Sequence, residues 1–367
     1  MNIKVYKNFN TDLEKVWTKL EQDLMINPFL SFAWLKAWQN NVGDPLLSVQ
    51  PQLVHIYDGK NTYAIFPLGI RRKYNIKILE WLGGINSDYM GPLVHSEFTS
   101  IKKFEDYWDI ILSKINSFDL IHFEKQNEQT ISTLNYIGFS KDSHYLHLKA
   151  YNSLLEKDWD QYYKSIKKRI RSDSERQIRR LKKIDNVKFD IAESINDKKN
   201  IIKKMIKQKY SRYEKTKVWN MFKIDHYKEF YEKLAYLYPK TFQVHCSSLK
   251  VGNEVIATHV GIYNKRTFYY LMPANNLNEW EKFSPGRLLL MKLLEWSIKN
   301  KLSIFDFTIG GEAYKKIWCN QEINLYYSLK PMTLKGKVYC NFLFWKLYIK
   351  KTTYLSKIAR KIKSYVS

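Results

Sequence analysis

The residues best suited to chemistry lie in the segment Phe305–Lys315, where a buried strand is followed by a diglycine turn and a short polar helix. In α/β folds, ligands bind beyond the C-terminal ends of strands. Glu312, Tyr314 and Lys315 would emerge there together, and a carboxylate, a phenol and an ammonium suffice for proton transfer and for binding a charged substrate. Each is also common at an ordinary helix start. Asp306, inside the strand, is expected to bond structural partners.

A second candidate site is the start of a long helix, at Lys282–Arg287. Pro285 suits the first helical position, and the free N–H groups there favour an anion. Gly286 would let a phosphate approach the backbone, and Arg287 would add positive charge. The alternative is an ordinary Ser-Pro helix cap.

Two further candidates lie elsewhere in the chain. Asp88 and Tyr89, in the turn Ser87–Leu93, could hold an amine or a sugar, although an Asx-turn would use the same residues. His259 is a candidate base or, alternatively, a satisfied core histidine. The histidines lack metal-ligand spacing, so no metal is expected. No dinucleotide-binding, P-loop or α/β-hydrolase motif occurs in the sequence.

Composition indicates a folded chain with an anionic partner. The 367 residues are 45% hydrophobic and 16% aromatic, and the net charge is +25. Two segments, Tyr162–Lys183 and Lys330–Ser367, hold most of this excess. A nucleotide, coenzyme A, tRNA or an anionic membrane would complement them, unless the lysines only solvate the surface. The C-terminal segment reads as a basic amphipathic helix, which would pack on its own domain or lie on a membrane.

The cellular location is predicted to be the cytoplasm. Three cysteines without a CxxC pair do not indicate a disulfide framework, which fits a reducing compartment. The first residues lack the apolar stretch of a signal peptide, and no apolar run approaches the roughly 20 residues that span a bilayer.

The elements that must position these residues occur twice in the same order: hairpin, third strand, glycine-containing turn, long helix, strand, short helix. This order predicts a duplicated α/β unit of about 130 residues. The predicted helices are Asp12–Asp23, Ser31–Asn40, Ile101–Ile115, Glu128–Tyr136, Asp158–Lys183, Asp197–Tyr213, His226–Leu237, Ser284–Asn300 and Glu312–Trp318. The predicted strands are Gln52–Tyr57, Tyr63–Arg71, Ile78–Leu82, Leu120–Glu124, Tyr145–Lys149, Gln243–Lys250, Val255–Tyr263, Thr267–Pro273 and Ser303–Thr308.

Several stretches together resemble the CelD/BioF2-type acyltransferases of the GNAT superfamily. They are Asn27–Trp38, Ala64–Leu68, Leu82–Gly84 with Asp88-Tyr89, Lys167–Arg171, Ser284–Leu290 and Phe305–Lys315. The resemblance implies an α/β fold with mixed sheets: two tandem GNAT-like domains, 1–150 and 151–335, and a basic tail, 336–367. The tandem arrangement is that of the related FemAB proteins, and a basic helical segment would lie between the two cores.

The resemblance also implies acyl-coenzyme A as co-substrate, held by the second domain without a metal. Leu271 and Met272, on the strand Phe268–Pro273, would line the pantetheine. The pyrophosphate would bind a helix start that departs from the family's usual Gln/Arg-x-x-Gly-x-Gly/Ala loop. Its residues are Ser284, Gly286, Arg287 and Leu288.

By the same resemblance, an amine attacks the thioester directly. Glu312 or His259 would be the base, Tyr314 the acid, and Lys315 would bind an acceptor phosphate. The acceptor implied is a nucleotide-linked amino sugar, such as a dTDP-3-amino-3,6-dideoxyhexose, used for surface polysaccharide. Its remaining contacts would be Trp34, Asp88, Tyr89, Lys168, Arg169 and Arg171.

Two other functions stay open at this point. An aminoacyl-tRNA-dependent transferase of the FemAB type would use the basic helix and tail for tRNA, although no antiparallel coiled-coil arm is evident. A non-catalytic scaffold of a polysaccharide machine would use the tail on a membrane, and would not need Glu312, Tyr314 or Lys315.

Overall fold

The computed structural model describes residues 1–24, 26–97, 107–136, 143–277 and 279–345. The strands are β1 (Asn2–Tyr6), β2 (Gln50–Asp58), β3 (Asn61–Lys73), β4 (Ile76–Trp81), β5 (Leu93–Val94), β6 (Leu120–Gln126), β7 (Ser143–Leu154), β8 (Val187–Ile191), β9 (Gln243–Val251), β10 (Glu254–Tyr263), β11 (Thr267–Asn275), β12 (Ile304–Ile309) and β13 (Gln321–Pro331). The α-helices are α1 (Thr11–Leu24), α2 (Phe32–Trp38), α3 (Tyr107–Lys114), α4 (Glu128–Tyr136), α5 (Trp159–Ser165), α6 (Lys168–Lys182), α7 (Ile195–Thr216), α8 (Asp225–Leu234), α9 (Pro285–Lys299) and α10 (Lys315–Trp318). A further helix over 334–345 is called the C-terminal helix.

The strands form one mixed sheet in the order β1-β2-β3-β4-β6-β13-β7-β12-β11-β10-β9-β8, and β5 pairs with β3. Two pairs are parallel, β4 with β6 and β11 with β12, and the other pairs are antiparallel. Each half of the chain therefore contributes an antiparallel run that ends in one parallel pair. The two halves also exchange strands, because β7 pairs with β12 and β13 pairs with β6.

Both parallel pairs are short. β11 and β12 pair only where Thr267–Tyr269 lies beside Ile304–Asp306, although β11 continues to Asn275 and β12 to Ile309. Since the remainder of each strand is not bonded to the other, the sheet opens at the C-terminal ends of β11 and β12. The segment Gly310–Lys315, which carries Glu312, Tyr314 and Lys315, directly follows β12 at this opening.

One apolar core joins the two halves. The Phe29 ring packs edge-on against Tyr269 of β11, and the Trp34 ring of α2 packs edge-on against Phe230 of α8. All four side chains are buried in a single cluster. The packing of Phe29 against β11 and of α2 against α8 therefore fixes where the first half lies relative to the opening between β11 and β12.

The mixed α/β fold predicted from the sequence is confirmed. Helix α4 has the predicted bounds, whereas the helix predicted over Asp158–Lys183 is interrupted near Ile166, which is extended, and forms α5 and α6. The helix predicted from Glu312 begins at Lys315. Strands β1, β5, β8 and β13 were not predicted. Residues 101–106 of one predicted helix, and the tail from 346, lie outside the described residues.

Candidate active site

A hydrogen bond between the two halves lies at the open end of β12. The Tyr89 hydroxyl donates to the Asp306 carboxylate, at 3.0 Å from Oδ1 and 2.9 Å from Oδ2. The Thr308 N–H donates to the same carboxylate at 2.7 Å. Burial is the main cause that raises the pKa of Asp306 to about 7, against the opposing effect of these hydrogen bonds. Burial and the Asp306 charge also raise the pKa of Tyr89, so the phenol remains a donor.

Asp88, beside Tyr89, reaches the end of the same strand. Its carboxylate accepts hydrogen bonds from the Thr308 hydroxyl and the Ile309 N–H. Burial raises the pKa of Asp88, and the charges of Lys125 and Lys315 oppose that rise. The turn of the first half and the strand end of the second therefore form one polar cluster.

Lys125 holds the turn that carries Asp88. Its ammonium donates to the carbonyl oxygens of Gly84 (2.9 Å) and Ser87 (2.6 Å). Burial lowers the pKa of Lys125, while the Asp88 and Glu124 charges act in the opposite direction. A cation that binds backbone carbonyls from inside the turn keeps the Asp88 carboxylate in place.

Lys315 binds a backbone carbonyl in the second half, as Lys125 does in the first. It is buried, and its ammonium donates to the Ile309 carbonyl at 2.8 Å and lies 3.2 Å from Glu312 Oε2. Gly310 has φ 142°, and a Cβ there would lie 2.7 Å from Lys315 Nζ and 2.2 Å from Glu312 Oε2. The glycine is therefore required for this closed turn, and Lys315 and Glu312 are held at its two sides.

Helix α7 brings a third set of charges to the cluster. The pKa of Lys209 is lowered to about 8, mainly by burial and also by the Arg212 charge, whereas the Glu312 charge acts in the opposite direction. The Glu312 charge also raises the pKa of Tyr213, where burial is the larger cause. Glu312 itself is exposed, so it lies at the accessible side of the cluster, facing α7.

Tyr314 and His259 occupy different environments. Tyr314 is partly buried, and burial together with the Glu312 charge raises its pKa well above the ordinary value. His259 is fully buried, and its ring stacks on Tyr270 at 4.7 Å between centroids. Burial lowers the pKa of His259 far below its usual range, and neither ring nitrogen has a hydrogen-bond partner among the described residues. The imidazole is therefore neutral and enclosed, whereas Tyr314 adjoins Glu312.

The second predicted site, the start of α9, lies against helix α6. Ser284 is left-handed (φ 55°), and Pro285 is the first helical residue. A Cβ on Gly286 would meet only Asn275 Oδ1, at 3.4 Å, so its backbone is approachable. Arg287 forms an ion pair with Asp173 of α6, and its buried Nε has no partner among the described residues. The Arg287 guanidinium is thus already paired with a carboxylate of the protein at the start of α9.

The remaining donor-site candidates are mostly buried. Leu271 and Met272 lie on β11 beyond its pairing with β12, and Met272 pairs with Val260 of β10. Met272 is buried and Leu271 is partly accessible. Leu288 is buried in the apolar cluster beneath α9. Leu271 is therefore the accessible one of these three side chains.

Helix α6 carries three of the predicted basic contacts, Lys168, Arg169 and Arg171. Lys168 and Arg169 are exposed in the first turn of α6. The Arg171 Nε donates to the Ile166 carbonyl at 3.0 Å, and its guanidinium lies over the Tyr163 ring. Asp173 of the same helix binds Arg287, so α6 is joined to the start of α9 at that residue.

Trp34 is fully buried behind the turn that carries Asp88. Its Nε1–H donates to Ser87 Oγ at 3.0 Å. The predicted role of lining an accessible cleft does not match this position, since the ring is enclosed by Phe29 and Phe230. Trp34 instead supports the turn from inside.

Lys125, Lys209 and Thr308 are members of the cluster that sequence reasoning did not identify. Lys209 is one of many lysines on α7. It differs from the others in its burial beside the charges of Glu312 and Lys315. No group of three or more His, Cys, Asp or Glu side chains in the described ranges could hold a metal ion. Within the same ranges, no helix is both long and apolar enough to cross a bilayer.

Comparison with known proteins finds a similarity for the second half of the chain. Residues 168–316 match the model of the acetyltransferase (GNAT) domain. No curated protein matches the chain significantly. FemX has a similar structure, with TM-score 0.61 and 10% identity, over 92% of this chain and 99% of FemX.

Two further solved structures share the fold. A protein of unknown function from Bacteroides thetaiotaomicron has TM-score 0.54 and 9% identity, over 90% of this chain and 100% of its own. L-PGS from Bacillus licheniformis has TM-score 0.53 and 10% identity, over 94% of this chain and 98% of its own. At such identities the likeness shows the fold alone. Residues 168–316 are thus similar to the acetyltransferase (GNAT) domain, and the whole mixed α/β fold resembles that of FemX along most of its length.

Proposed function

We propose that the protein is an acyl-coenzyme A-dependent N-acyltransferase. The proposed acceptor is the amine of a nucleotide-linked amino sugar, such as a dTDP-3-amino-3,6-dideoxyhexose, used in surface polysaccharide synthesis. The observation that carries the proposal is the meeting of Asp88, Glu312 and Lys315 at the open end of β12. Both halves contribute to this cluster, and it combines an accessible carboxylate with cations suited to an anionic substrate.

The start of α9 fits the pyrophosphate of coenzyme A. The first N–H groups of a helix favour an anion, and the backbone at Gly286 is open to a ligand. Arg287 would contribute positive charge near the helix start and not a free guanidinium, because Asp173 holds it in an ion pair. Lys168 and Arg169 beside it would attract the nucleotide phosphates.

The chemistry assigned to the cluster is direct transfer. The amine nitrogen attacks the thioester carbonyl, the C–N bond forms and the C–S bond breaks. Glu312 accepts the amine proton, and the departing thiolate takes up one proton, which balances the reaction. Since its raised pKa keeps Tyr314 protonated, its hydroxyl can donate a hydrogen bond to the leaving sulfur. Lys315 and Lys209 supply positive charge for an acceptor phosphate. The enclosed position of His259 favours Glu312 as the base.

The basic face of α6 favours a second candidate function, aminoacyl-tRNA-dependent transfer. Lys168 and Arg169 are exposed there and would suit a polynucleotide as well as a nucleotide sugar. The fold likeness to FemX is consistent with this candidate.

The test is an acyl-transfer assay with the purified full chain, acetyl-coenzyme A and a panel of dTDP-linked amino sugars. We expect Glu312→Gln to lower kcat by about 100-fold or more while the KM for the donor is kept. Tyr314→Phe should lower kcat less. The exposed Glu193→Gln is the matched control and should retain full activity.

Calorimetric titrations with coenzyme A and with uncharged tRNA distinguish the two donors. Binding of coenzyme A supports the proposal. Salt-sensitive tRNA binding without coenzyme A binding would replace it with the tRNA-dependent function. Unchanged turnover in Glu312→Gln and Tyr314→Phe would refute the catalytic assignments.

A further inference from the structure

The C-terminal helix is fixed to the sheet by one of its faces. At its start, the Thr333 hydroxyl donates to Asp119 Oδ1 and the Met332 N–H donates to the Asp119 carbonyl, both at 2.8 Å. Gly336 packs so closely on Asp119 that a Cβ would lie 1.9 Å from its carbonyl oxygen. The side chains of Tyr339 and Cys340 are buried against β4, β6 and β13. These contacts determine which face of the helix points away from the protein.

The outward face is apolar. Leu334, Val338, Phe342 and Trp345 are 84%, 72%, 55% and 70% exposed. Their spacing of four, four and three residues places them on one side of an α-helix. We call these four residues the apolar stripe. The helix therefore has two apolar faces, of which one is packed on the sheet and the other is in solvent.

Positive charge surrounds the apolar stripe. Lys335 and Lys337 occupy the positions at its two sides, and the segment Lys330–Ser367 has ten basic residues and no acidic one. Large exposed apolar side chains with lysines along their borders are typical of helices that lie in a membrane interface. Anionic headgroups would pair with the lysines while the stripe enters the acyl boundary.

We propose that the apolar stripe docks the protein on an anionic lipid bilayer. This inference is independent of the proposed reaction. Charge disfavours two other partners for the apolar stripe, which are a second copy of the protein and the chain's own C-terminal residues. A second copy would bring two segments of net charge +10 together, and residues 346–367 of the same chain have seven basic residues and no acidic one. Both of these partners are positively charged and would be repelled by the lysines around the stripe. An anionic bilayer would instead be attracted to them.

The test is co-sedimentation of the full-length protein with vesicles of phosphatidylcholine, with or without phosphatidylglycerol. We expect binding to the anionic vesicles, and a loss of about tenfold or more in the combined variant Leu334→Ser, Val338→Ser, Phe342→Ser and Trp345→Ser. The double variant Lys335→Gln, Lys337→Gln should lose about fivefold per lysine on anionic vesicles.

The matched control is the double variant Val218→Ser, Trp219→Ser, which removes apolar side chains of similar exposure from the loop after α7. It should bind vesicles like the unsubstituted protein. Thermal melting checks that the stripe variant is folded, and the lysine variant provides the test if it is not.

Three outcomes would overturn the proposal. The unsubstituted protein fails to bind anionic vesicles, the stripe and lysine variants bind as well as it does, or sedimentation velocity shows a dimer that the stripe variant converts to a monomer. The last outcome would assign the stripe to a second copy of the chain.

Discussion

The Tyr89 hydroxyl and the Asp306 carboxylate form a buried hydrogen bond between residues 217 positions apart, one from each half of the chain. Asp306 is also bonded by Thr308, whose hydroxyl binds Asp88. The orientation of the first half at the candidate site is thus coupled to the end of β12. A substitution at either residue should affect stability and site geometry together.

Tyr89→Phe removes this donor while it keeps the ring. We expect the free energy of unfolding to fall by about 1–3 kcal/mol, because a buried carboxylate loses a partner. Urea denaturation measures this loss. Tyr74→Phe, at an exposed phenol, is the control and should have no effect. Equal stability of both variants would mean that the Tyr89–Asp306 bond contributes nothing to folding.

Stability should depend on pH through Asp306. Its pKa is about 7 in the folded protein and near the ordinary 3.8 in the unfolded chain. Between these values the folded state binds more protons, so stability should fall as pH rises through that window. Urea denaturation at intervals from pH 4 to 8 tests this, and Asp306→Asn should reduce the slope.

Glu21 contributes to the same window. Burial raises its pKa to about 7, although it accepts hydrogen bonds from Phe32 and Thr241. Glu21→Gln should therefore remove a separate part of the pH dependence. A slope that survives both substitutions would contradict the assignment to these two groups.

The diglycine turn offers a paired test. In Gly310→Ala, the new Cβ would overlap Lys315 Nζ and Glu312 Oε2 at a φ that alanine rarely adopts. We expect a loss of about 1–3 kcal/mol in stability together with lost turnover. Gly311→Ala adds a Cβ with no atom within 4 Å, and it should change stability by less than about 0.5 kcal/mol. Similar melting curves for the two variants would refute the close packing at Gly310.

Gly286→Ala tests the proposed donor site. The new Cβ meets only Asn275 Oδ1 at 3.4 Å, so folding should be unaffected. A phosphate that needs the bare backbone would be displaced, and affinity for coenzyme A should fall by about tenfold. Calorimetry measures the affinity. Wild-type affinity in this variant would show that the ligand does not approach Gly286.

Local sequence patterns predicted most of the elements. Helix α4 has the bounds expected from its sequence, and β9 to β12 differ from expectation by one or two residues at their ends. Strand β13 was missed because its partners, β6 and β7, are distant in the sequence. A strand between two remote neighbours has no hairpin signal.

The candidate site shows the same difference between residues that local sequence patterns reveal and residues that only long-range contacts reveal. Glu312, Tyr314 and Lys315 were predicted from one contiguous motif, and in the structure Asp88 lies close enough to Lys315 for its pKa to be lowered by that charge. Lys209 could not be identified, because burial is the main cause that lowers its pKa, and that burial arises only when the chain folds. Sequence reasoning finds functional residues when they are neighbours in the chain, and misses those that only packing brings together.

The exchange of β7 and β13 has a consequence for biosynthesis. Strand β6 acquires its antiparallel neighbour when Pro331 pairs with Leu120, more than two hundred residues downstream. While the second half is being synthesised, one edge of β6 in the first half has no partner strand. Its sheet closes only after the second half has been synthesised, so the two halves should complete folding together, and a fragment that ends near residue 150 should aggregate.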